Sequence, residues 1–298
     1  MNMKKLLAVL LAVLMVFAFA ACGEKAPEDT TADASAPAEA SETVIRLATT
    51  TSVNDSGLLP YLLPTFEAKS GYTVKVASAG TGVAIGYAEA GDADLILVHS
   101  KAKEEEFIDA GYASTDRLSF MYNFFVICGP ADDPAGVADA ETAADAFKAI
   151  AETASPFCSR GDESGTHNKE NNIWTAAEID PAGQDWYISV GSGMGDTLNK
   201  ANEMNTYVLT DKATYLSMKD ALPNLAMLKA EAEDMKNTYS LIGVNPDAEA
   251  FAGKGVAINT AGANALIDWL QSDEAAELIR QYGVEEYGEQ LFFLLADA

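Results

Sequence analysis

Short strand-like runs alternate with segments of helical spacing from residue 44 onward. The first strands are predicted at 44–48, 73–78 and 93–98. Between and after them, apolar residues at helical spacing predict helices at 58–69, 83–90 and 102–110. Because strand and helix alternate, this pattern predicts an α/β fold with a largely parallel sheet.

The alternation restarts after a long apolar strand at 120–128. Further strands are predicted at 156–159, 207–209, 225–229 and 239–244. Further helices are predicted at 140–152, 165–178, 194–204 and 213–218, and the strongly amphipathic segment 261–282 is predicted to form one or two more. About 255 residues follow the first 43, which is enough for one large domain or two lobes.

The N-terminus has the pattern of an export signal. Lys4 and Lys5 precede an apolar run at 6–21, which is too short to cross a bilayer comfortably and ends in small residues. Cys22 follows directly, as in a bacterial lipobox, so we predict a signal peptide at 1–21 and a lipid on Cys22. The alternative is an ordinary signal peptide that leaves Cys22 as an unused thiol.

Residues 22–43 consist largely of Ala, Ser, Thr, Pro and Glu. A segment with so few large apolar residues cannot bury enough surface to fold, so it is predicted to be a disordered tether. We therefore expect the folded part to sit on the outer face of the bacterial cytoplasmic membrane, attached through the lipid.

Charge and residue counts narrow the function. Acidic residues outnumber basic ones by 45 to 19, for a formal charge of −26, which argues against nucleic acid as a partner. The two histidines and three cysteines lack the spacing of a metal site, so neither a metal ion nor a cofactor is expected. Cys128 and Cys158 lie in apolar stretches, where a disulfide and two buried thiols both remain open.

Three loops share a design that suits an anion. The segments 49–52, 79–82 and 159–166 each follow a predicted strand and lead into a predicted helix. Each therefore places hydroxyl groups and free backbone N–H groups at a positive helix N-terminus. In open α/β sheets such loops gather at the carboxyl ends of the strands. The candidate anion-binding residues are Thr50, Thr51, Ser52, Thr81, Ser159, Arg160, Ser164, Gly165 and Thr166.

These loops also carry a family resemblance. TTTS at 49–52 with DSGLL at 55–59, and SRGDESGTH at 159–167 with Glu170, resemble two signatures of tungstate-binding proteins of ABC importers. GTG at 80–82, GSGM at 191–194 and LTD at 209–211 are similar to that family as well.

The resemblance implies a two-lobed, type II periplasmic-binding-protein-like fold, with the ligand cleft between lobes joined by two crossovers. The crossovers are expected near 122–125 and 237–240. Lobe one would comprise 44–123 and 237–298, and lobe two 124–236. The implied function is capture of a tetrahedral oxyanion for a membrane permease and its ATPase, by a protein expected to be a monomer.

The sequence also restricts the range of candidate oxyanions. RGDESGT at 160–166 also fits the pattern of phosphate-binding proteins, which carry an acidic residue just after the strand that corresponds to 93–98. Here His99 and Ser100 occupy that place, so a fully deprotonated dianion is favoured over phosphate. Sulfate is smaller and would leave donors out of reach. Tungstate or molybdate is therefore expected, and the sequence does not separate the two.

Two other classes of function have partial support in the sequence. Ser164 and His167 suggest a hydrolase, but the glycines around Ser164 are out of register for a nucleophile elbow, and we expect no catalysis. A sensor that presents a bound oxyanion to a membrane receptor would have the same lobes and the same site. Only the genes next to it would distinguish such a sensor from a transport protein.

Overall fold

The computed structural model describes residues 43–297. The predicted signal peptide, Cys22 and almost all of the predicted tether lie outside the described residues. The strands are β1 Val44–Thr50, β2 Thr73–Ala79, β3 Leu95–Val98, β4 Leu118–Pro130, β5 Phe157–Ser159, β6 Tyr187–Ser189, β7 Tyr207–Asp211, β8 Leu225–Lys229, β9 Lys236–Gly243 and β10 Phe293–Leu294.

The α-helices fill most of the chain between these strands. They are α1 Thr51–Asp55, α2 Leu58–Ser70, α3 Thr81–Ala90, α4 Lys101–Asp109, α5 Ala143–Glu152, α6 Gly165–Ala176, α7 Met194–Met204, α8 Lys212–Met218, α9 Thr260–Leu270, α10 Asp273–Gln281 and α11 Val284–Tyr287. Among residues 43–297, no helix is both long enough and apolar enough to cross a membrane.

The strands form one sheet, with parallel pairs on both sides and antiparallel pairs in the middle. Its order is β2-β1-β3-β9-β4-β7-β5-β6, and β8 and β10 both pair with β4. On one side β1 pairs in parallel with β2 and β3, and on the other β5 pairs in parallel with β6 and β7. In the middle, β9 pairs antiparallel with β3 and β4, and β4 pairs antiparallel with β7.

The expectation of a largely parallel sheet is therefore wrong for the centre, and the sheet is mixed. The strand–helix alternation does give parallel pairs within each side, as expected for crossover connections. The alternation does not reveal that β4 and β9 run side by side in opposite directions, because these two strands are far apart in the sequence.

Strands β4 and β9 connect the two sides of the sheet. Residues 118–124 of β4 pair with β9 or β10, whereas residues 125–130 pair with β7 and β8. Residues 122–124 lie opposite residues 236–238 of β9. This antiparallel contact coincides with the two predicted crossovers, and the exact bounds of the lobes stay a prediction.

Apolar clusters cover both faces of each side of the sheet. In β3, Leu95 and Leu97 belong to one buried cluster, whereas Ile96 and Val98 belong to another. Successive side chains of a strand point to opposite faces, so this short strand is buried on both. Each such side chain contributes about 1.5–3 kcal/mol to stability by its burial. The ends of the strands are therefore held rigidly in place.

Cys128 and Cys158 lie in one apolar cluster on the side of β4 and β5. Both are buried and both are free thiols, so of the two alternatives the structure has the packed thiols. Burial raises the pKa of both thiols, which keeps them protonated and unreactive.

Candidate functional site

The three predicted loops lie where strands end and helices begin. Thr50 ends β1 and Thr51 opens α1, while Thr81 opens α3 directly after Gly80. In the third loop, β5 ends at Ser159 and α6 begins at Gly165. Each strand–helix junction leaves backbone N–H groups without partners inside its own helix, as an anion site requires.

Close packing of glycines brings the second and third loops together. A Cβ atom added at Gly80 would lie 3.5 Å from Cα of Ser164. A Cβ added at Gly165 would lie 3.1 Å from Oγ1 of Thr81 and 2.7 Å from Nε2 of His99. Since real Cβ atoms do not approach that closely, Gly165 has no room for any larger residue.

His99 joins the first loop to the other two. Its Nε2 atom lies 3.2 Å from Oγ of Ser52, which in turn lies 3.1 Å from Oγ1 of Thr50. The three loops and His99 thus form one polar cluster, most of which is buried. Thr51 is only half-buried at the first position of α1. Thr49 is buried as well, but its Oγ1 atom donates to the carbonyl of Leu97 at 2.7 Å, so it supports the strand instead.

Two donors in this cluster have no hydrogen-bond partner among the described residues. They are Oγ1 of Thr81, which is completely buried, and Nε of Arg160, whose residue is 4 % exposed. An unpaired polar atom inside a protein costs about 1–3 kcal/mol, and such atoms are rare in native structures. Two of them in adjoining loops indicate a site built to receive an acceptor.

Arg160 supplies the positive charge of the site and already has one acidic partner. Its Nη2 atom donates to Oδ2 of Asp162 at 2.5 Å. Burial raises the pKa of the Asp211 carboxyl. The charge of the Arg160 guanidinium partly opposes that rise. Asp162 therefore competes with any anion for Arg160, but it leaves Nε available.

Ser159, the last residue of β5, already has polar partners within the protein. Its Oγ accepts from the amide of Gly161 at 3.2 Å, and its hydroxyl lies in a hydrogen bond with the buried carboxyl of Glu170. Tyr187 also donates to Glu170, at 2.7 Å. Burial raises the pKa of Glu170 to about 7, against the effect of these hydrogen bonds. Ser159 thus supports the turn at Gly161 and lies beside both Glu170 and Tyr187.

Ser164 and Thr166 are buried at the start of α6. Oγ of Ser164 accepts from the amide of His167 at 3.2 Å and so caps the helix, while its own proton remains available. The ring of His167 is turned elsewhere, because its Nδ1 accepts from the amide of Glu163 at 3.0 Å. The geometry therefore contains no contact between the Ser164 hydroxyl and the His167 imidazole.

A buried hydrogen-bond network that the sequence pattern does not reveal reaches the site from β4 and β9. Nδ2 of Asn237 donates to Oδ1 of Asn123 at 3.0 Å and to the hydroxyl of Tyr239 at 2.9 Å. That hydroxyl lies 3.4 Å from Oγ of Ser52. The contact region between β4 and β9 is thus joined to the first loop through hydrogen bonds.

From the sequence, His99 was important only because it replaces the acidic residue of phosphate-binding proteins. In the structure it lies at the centre of the polar cluster. Its ring packs edge-on against Tyr239, with the ring centres 5.1 Å apart. Burial, with a smaller contribution from Arg160, lowers the pKa of His99 to about 4, so the imidazole is neutral at physiological pH. Its place after β3 follows the same strand-end rule as the other loops, and that signal could have identified it.

Comparisons with known proteins identify the family of this chain. The model of the PBP superfamily domain matches residues 35–274. The tungstate-binding protein TupA from Peptoclostridium acidaminophilum is 44 % identical over 294 residues, which cover 97 % of this chain and 98 % of that protein.

Two solved structures are similar in sequence and in fold. One, described as the tungstate ABC transporter from Geobacter sulfurreducens, is 41 % identical, has a TM-score of 0.71 and matches 81 % of this chain and 99 % of its own. The other, the tungstate-binding protein TupA from Desulfovibrio alaskensis G20, is 37 % identical, has a TM-score of 0.72 and matches 84 % and 98 %. The chain belongs to the PBP superfamily and, within it, to the family of tungstate-binding proteins that includes TupA.

Proposed function

We propose that this protein captures tungstate, or the similar dianion molybdate, and delivers it to the permease and ATPase of an ABC importer. The names of its relatives support the ligand and the transport role. The single observation on which the proposal depends is a pair of buried donors in adjoining loops, Thr81 Oγ1 and Arg160 Nε, that have no hydrogen-bond partner in the described part of the chain.

The chemistry of the cluster suits an anion that only accepts hydrogen bonds. The available donors are neutral hydroxyls, backbone amides at three helix starts and one guanidinium. Candidate contacts to the ligand are Thr50, Thr51, Ser52, Thr81, Ser159, Arg160, Ser164, Gly165 and Thr166. Many neutral donors and one cation can spread a double negative charge without requiring a bound counter-ion.

The carboxyl groups near Arg160 favour a fully deprotonated ligand over phosphate. Phosphate that keeps a proton needs an acceptor, but each nearby carboxylate is already engaged. Asp162 is paired with Arg160, Asp211 accepts from Thr214, and Glu170 accepts from Tyr187. His99 stands where phosphate-binding proteins have an acid, and its neutral imidazole lacks the negative charge that a carboxylate would offer to the proton of a phosphate. A sulfate- or phosphate-binding protein of the same fold is the alternative.

Closure of two lobes on the ligand is part of the proposal. Strand β4 passes from one side of the sheet to the other between Phe124 and Phe125, and the chain returns to the first side where β9 begins at Lys236, opposite Phe124. A pair of adjacent crossing strands is a natural hinge, and hinge closure is a common response of such folds to a ligand. We further propose that the protein acts as a monomer outside the cytoplasmic membrane, held there by a lipid on Cys22.

Calorimetric titration of the tether-deleted protein with four anions tests the ligand. We expect tungstate and molybdate to bind one per chain, and sulfate and phosphate to bind at least about tenfold more weakly, the equivalent of about 1.4 kcal/mol. Binding of phosphate or sulfate as tightly as tungstate would overturn the assignment. An oxyanion sensor would give the same titration, and copurification with the permease distinguishes a transport protein from it.

A further inference from the structure

A cavity of about 410 Å³ adjoins the polar cluster. We call it the basic cavity, because four of its lining residues are Lys or Arg and none is Asp or Glu. In a chain with 45 acidic and 19 basic residues, a wall with this composition is unexpected. The basic lining residues are Lys101, Arg117, Lys169 and Lys236.

Two of these four cations form no ion pair within residues 43–297, although Asp234 acts on one of them, Lys169, from a longer distance. Arg117 forms an ion pair with Glu104, and Lys101 forms one with Glu105 at 3.5 Å. In the described part of the chain, no ion pair involves Lys169 or Lys236. Their positive charge therefore acts on whatever enters the cavity.

Each of these lysines lies over an aromatic ring, and of the two rings Phe125 also lines the cavity. Nζ of Lys236 lies 4.0 Å from the ring centre of Tyr122, and Nζ of Lys169 lies 6.0 Å from that of Phe125. Such contacts favour a cation at a fixed place without cancelling its charge. Tyr122 and Phe125 belong to β4, and Lys236 begins β9, so the lysines flank the crossing strands.

The basic cavity is continuous with the proposed anion site. His99 and Gly165 line the cavity, and both also belong to the polar cluster beside Thr81. Helix α6 carries Lys169 four residues after Gly165, on the same helix face. A charge on this face therefore lies one helical turn from the site.

We infer that the basic cavity is the entrance through which the oxyanion reaches the site, and that Lys169 and Lys236 accelerate its association. This inference rests on the proposed function. The protein as a whole, at −26, repels a dianion, so the approach depends on a local field of opposite sign. Cations in a cleft with low-dielectric walls focus that field and raise association rates about 10- to 1000-fold in favourable cases.

Stopped-flow fluorescence with tungstate at low and high ionic strength tests this inference. The variants are Lys169→Gln, Lys236→Gln and the double variant. The matched control is Lys254→Gln, which removes the same charge from an exposed residue that does not line the cavity. Thermal melting of each variant checks that it is folded.

At low ionic strength we expect each cavity variant to lower the association rate constant by roughly three- to tenfold, with additive losses in the double variant. The dissociation rate constant should stay within about twofold, since a charge at the rim of a site acts mainly on association. The loss should largely disappear at high salt, where screening is strong. Lys254→Gln should behave like the parent.

Three results would overturn the inference while tungstate binding itself stands. These are association rates unchanged in the double variant, an equal loss in Lys254→Gln, and a loss confined to faster dissociation, which would mean that the lysines contact the bound anion. Absence of tungstate binding by the parent protein would instead overturn the proposed function.

Discussion

The buried hydroxyl of Thr81 leads to a prediction with opposite effects on stability and on binding. Thr81→Val keeps the shape of the side chain and removes the hydroxyl. Because Oγ1 of Thr81 is fully buried and has no hydrogen-bond partner within residues 43–297, its removal takes away an unfavourable group. We expect the free energy of unfolding of the anion-free protein to rise by about 1 kcal/mol, or roughly 2–4 °C in melting temperature for a chain of this size.

The same variant should bind tungstate more weakly. A neutral hydrogen bond to the anion contributes about 0.5–1.5 kcal/mol, so the dissociation constant should increase by roughly two- to tenfold. A residue that gains stability when altered but loses affinity is expected at a functional site, and not at one that only supports the fold.

Thr49→Val is the matched control. Thr49 is equally buried, at the first of the three strand–helix loops, but its hydroxyl donates to the carbonyl of Leu97. Its removal should lower stability by about 1 kcal/mol or more and leave tungstate affinity nearly unchanged. Urea unfolding of both anion-free variants and calorimetry with tungstate provide the two readouts. The reasoning is refuted if Thr81→Val loses stability like Thr49→Val and binds like the parent.

Three further predictions follow from the site and from the N-terminus. Calorimetry should show that Arg160→Ala weakens tungstate binding at least tenfold, or by about 1.4 kcal/mol. Arg160→Lys should restore only part of the affinity, because Lys keeps the charge but not the forked geometry of the guanidinium. Parent-like affinity in a folded Arg160→Ala variant would contradict this prediction. The folded state holds the pKa of His99 at about 4, below the usual 6.5, so its contribution to stability is complete above pH 6.5 and is lost as the pH falls towards 4. Urea unfolding should therefore show the parent losing up to about 3 kcal/mol more than His99→Gln over that range, and equal losses would argue against a buried neutral His99. Cys22→Ala should move the protein from the membrane to the soluble fraction or block its processing, as fractionation of cells would show, and unchanged retention with normal processing would contradict a lipid at that residue.

Local sequence signals were sufficient for most of the fold. Helices α3, α6 and α7 begin within two residues of their predicted starts because a glycine, serine or threonine marks each junction. Helix α2 forms despite Pro60 and Pro64, since its apolar face is buried against the sheet. Strands β6 and β10 were not predicted, because three or two residues are too few to show a period.

The site could be predicted only as far as it is local. Each of the three loops carries its own helix start and hydroxyls, so the sequence could indicate them one by one. Tyr239 and Asn237 could not be recognised in this way, because the antiparallel placement of β9 between β3 and β4 brings them there from far along the chain. The hydrogen bond from Tyr187 to Glu170 likewise joins residues of β6 and α6 that are far apart in the sequence pattern of the loops.

A crystal structure of the tether-deleted protein with tungstate, with tungsten located by its anomalous scattering, tests the central claim most directly. We predict one tungsten atom per chain, with oxygen atoms within about 3.2 Å of both Thr81 Oγ1 and Arg160 Nε. A tungsten atom bound elsewhere, with these two donors still lacking a partner, would contradict the account.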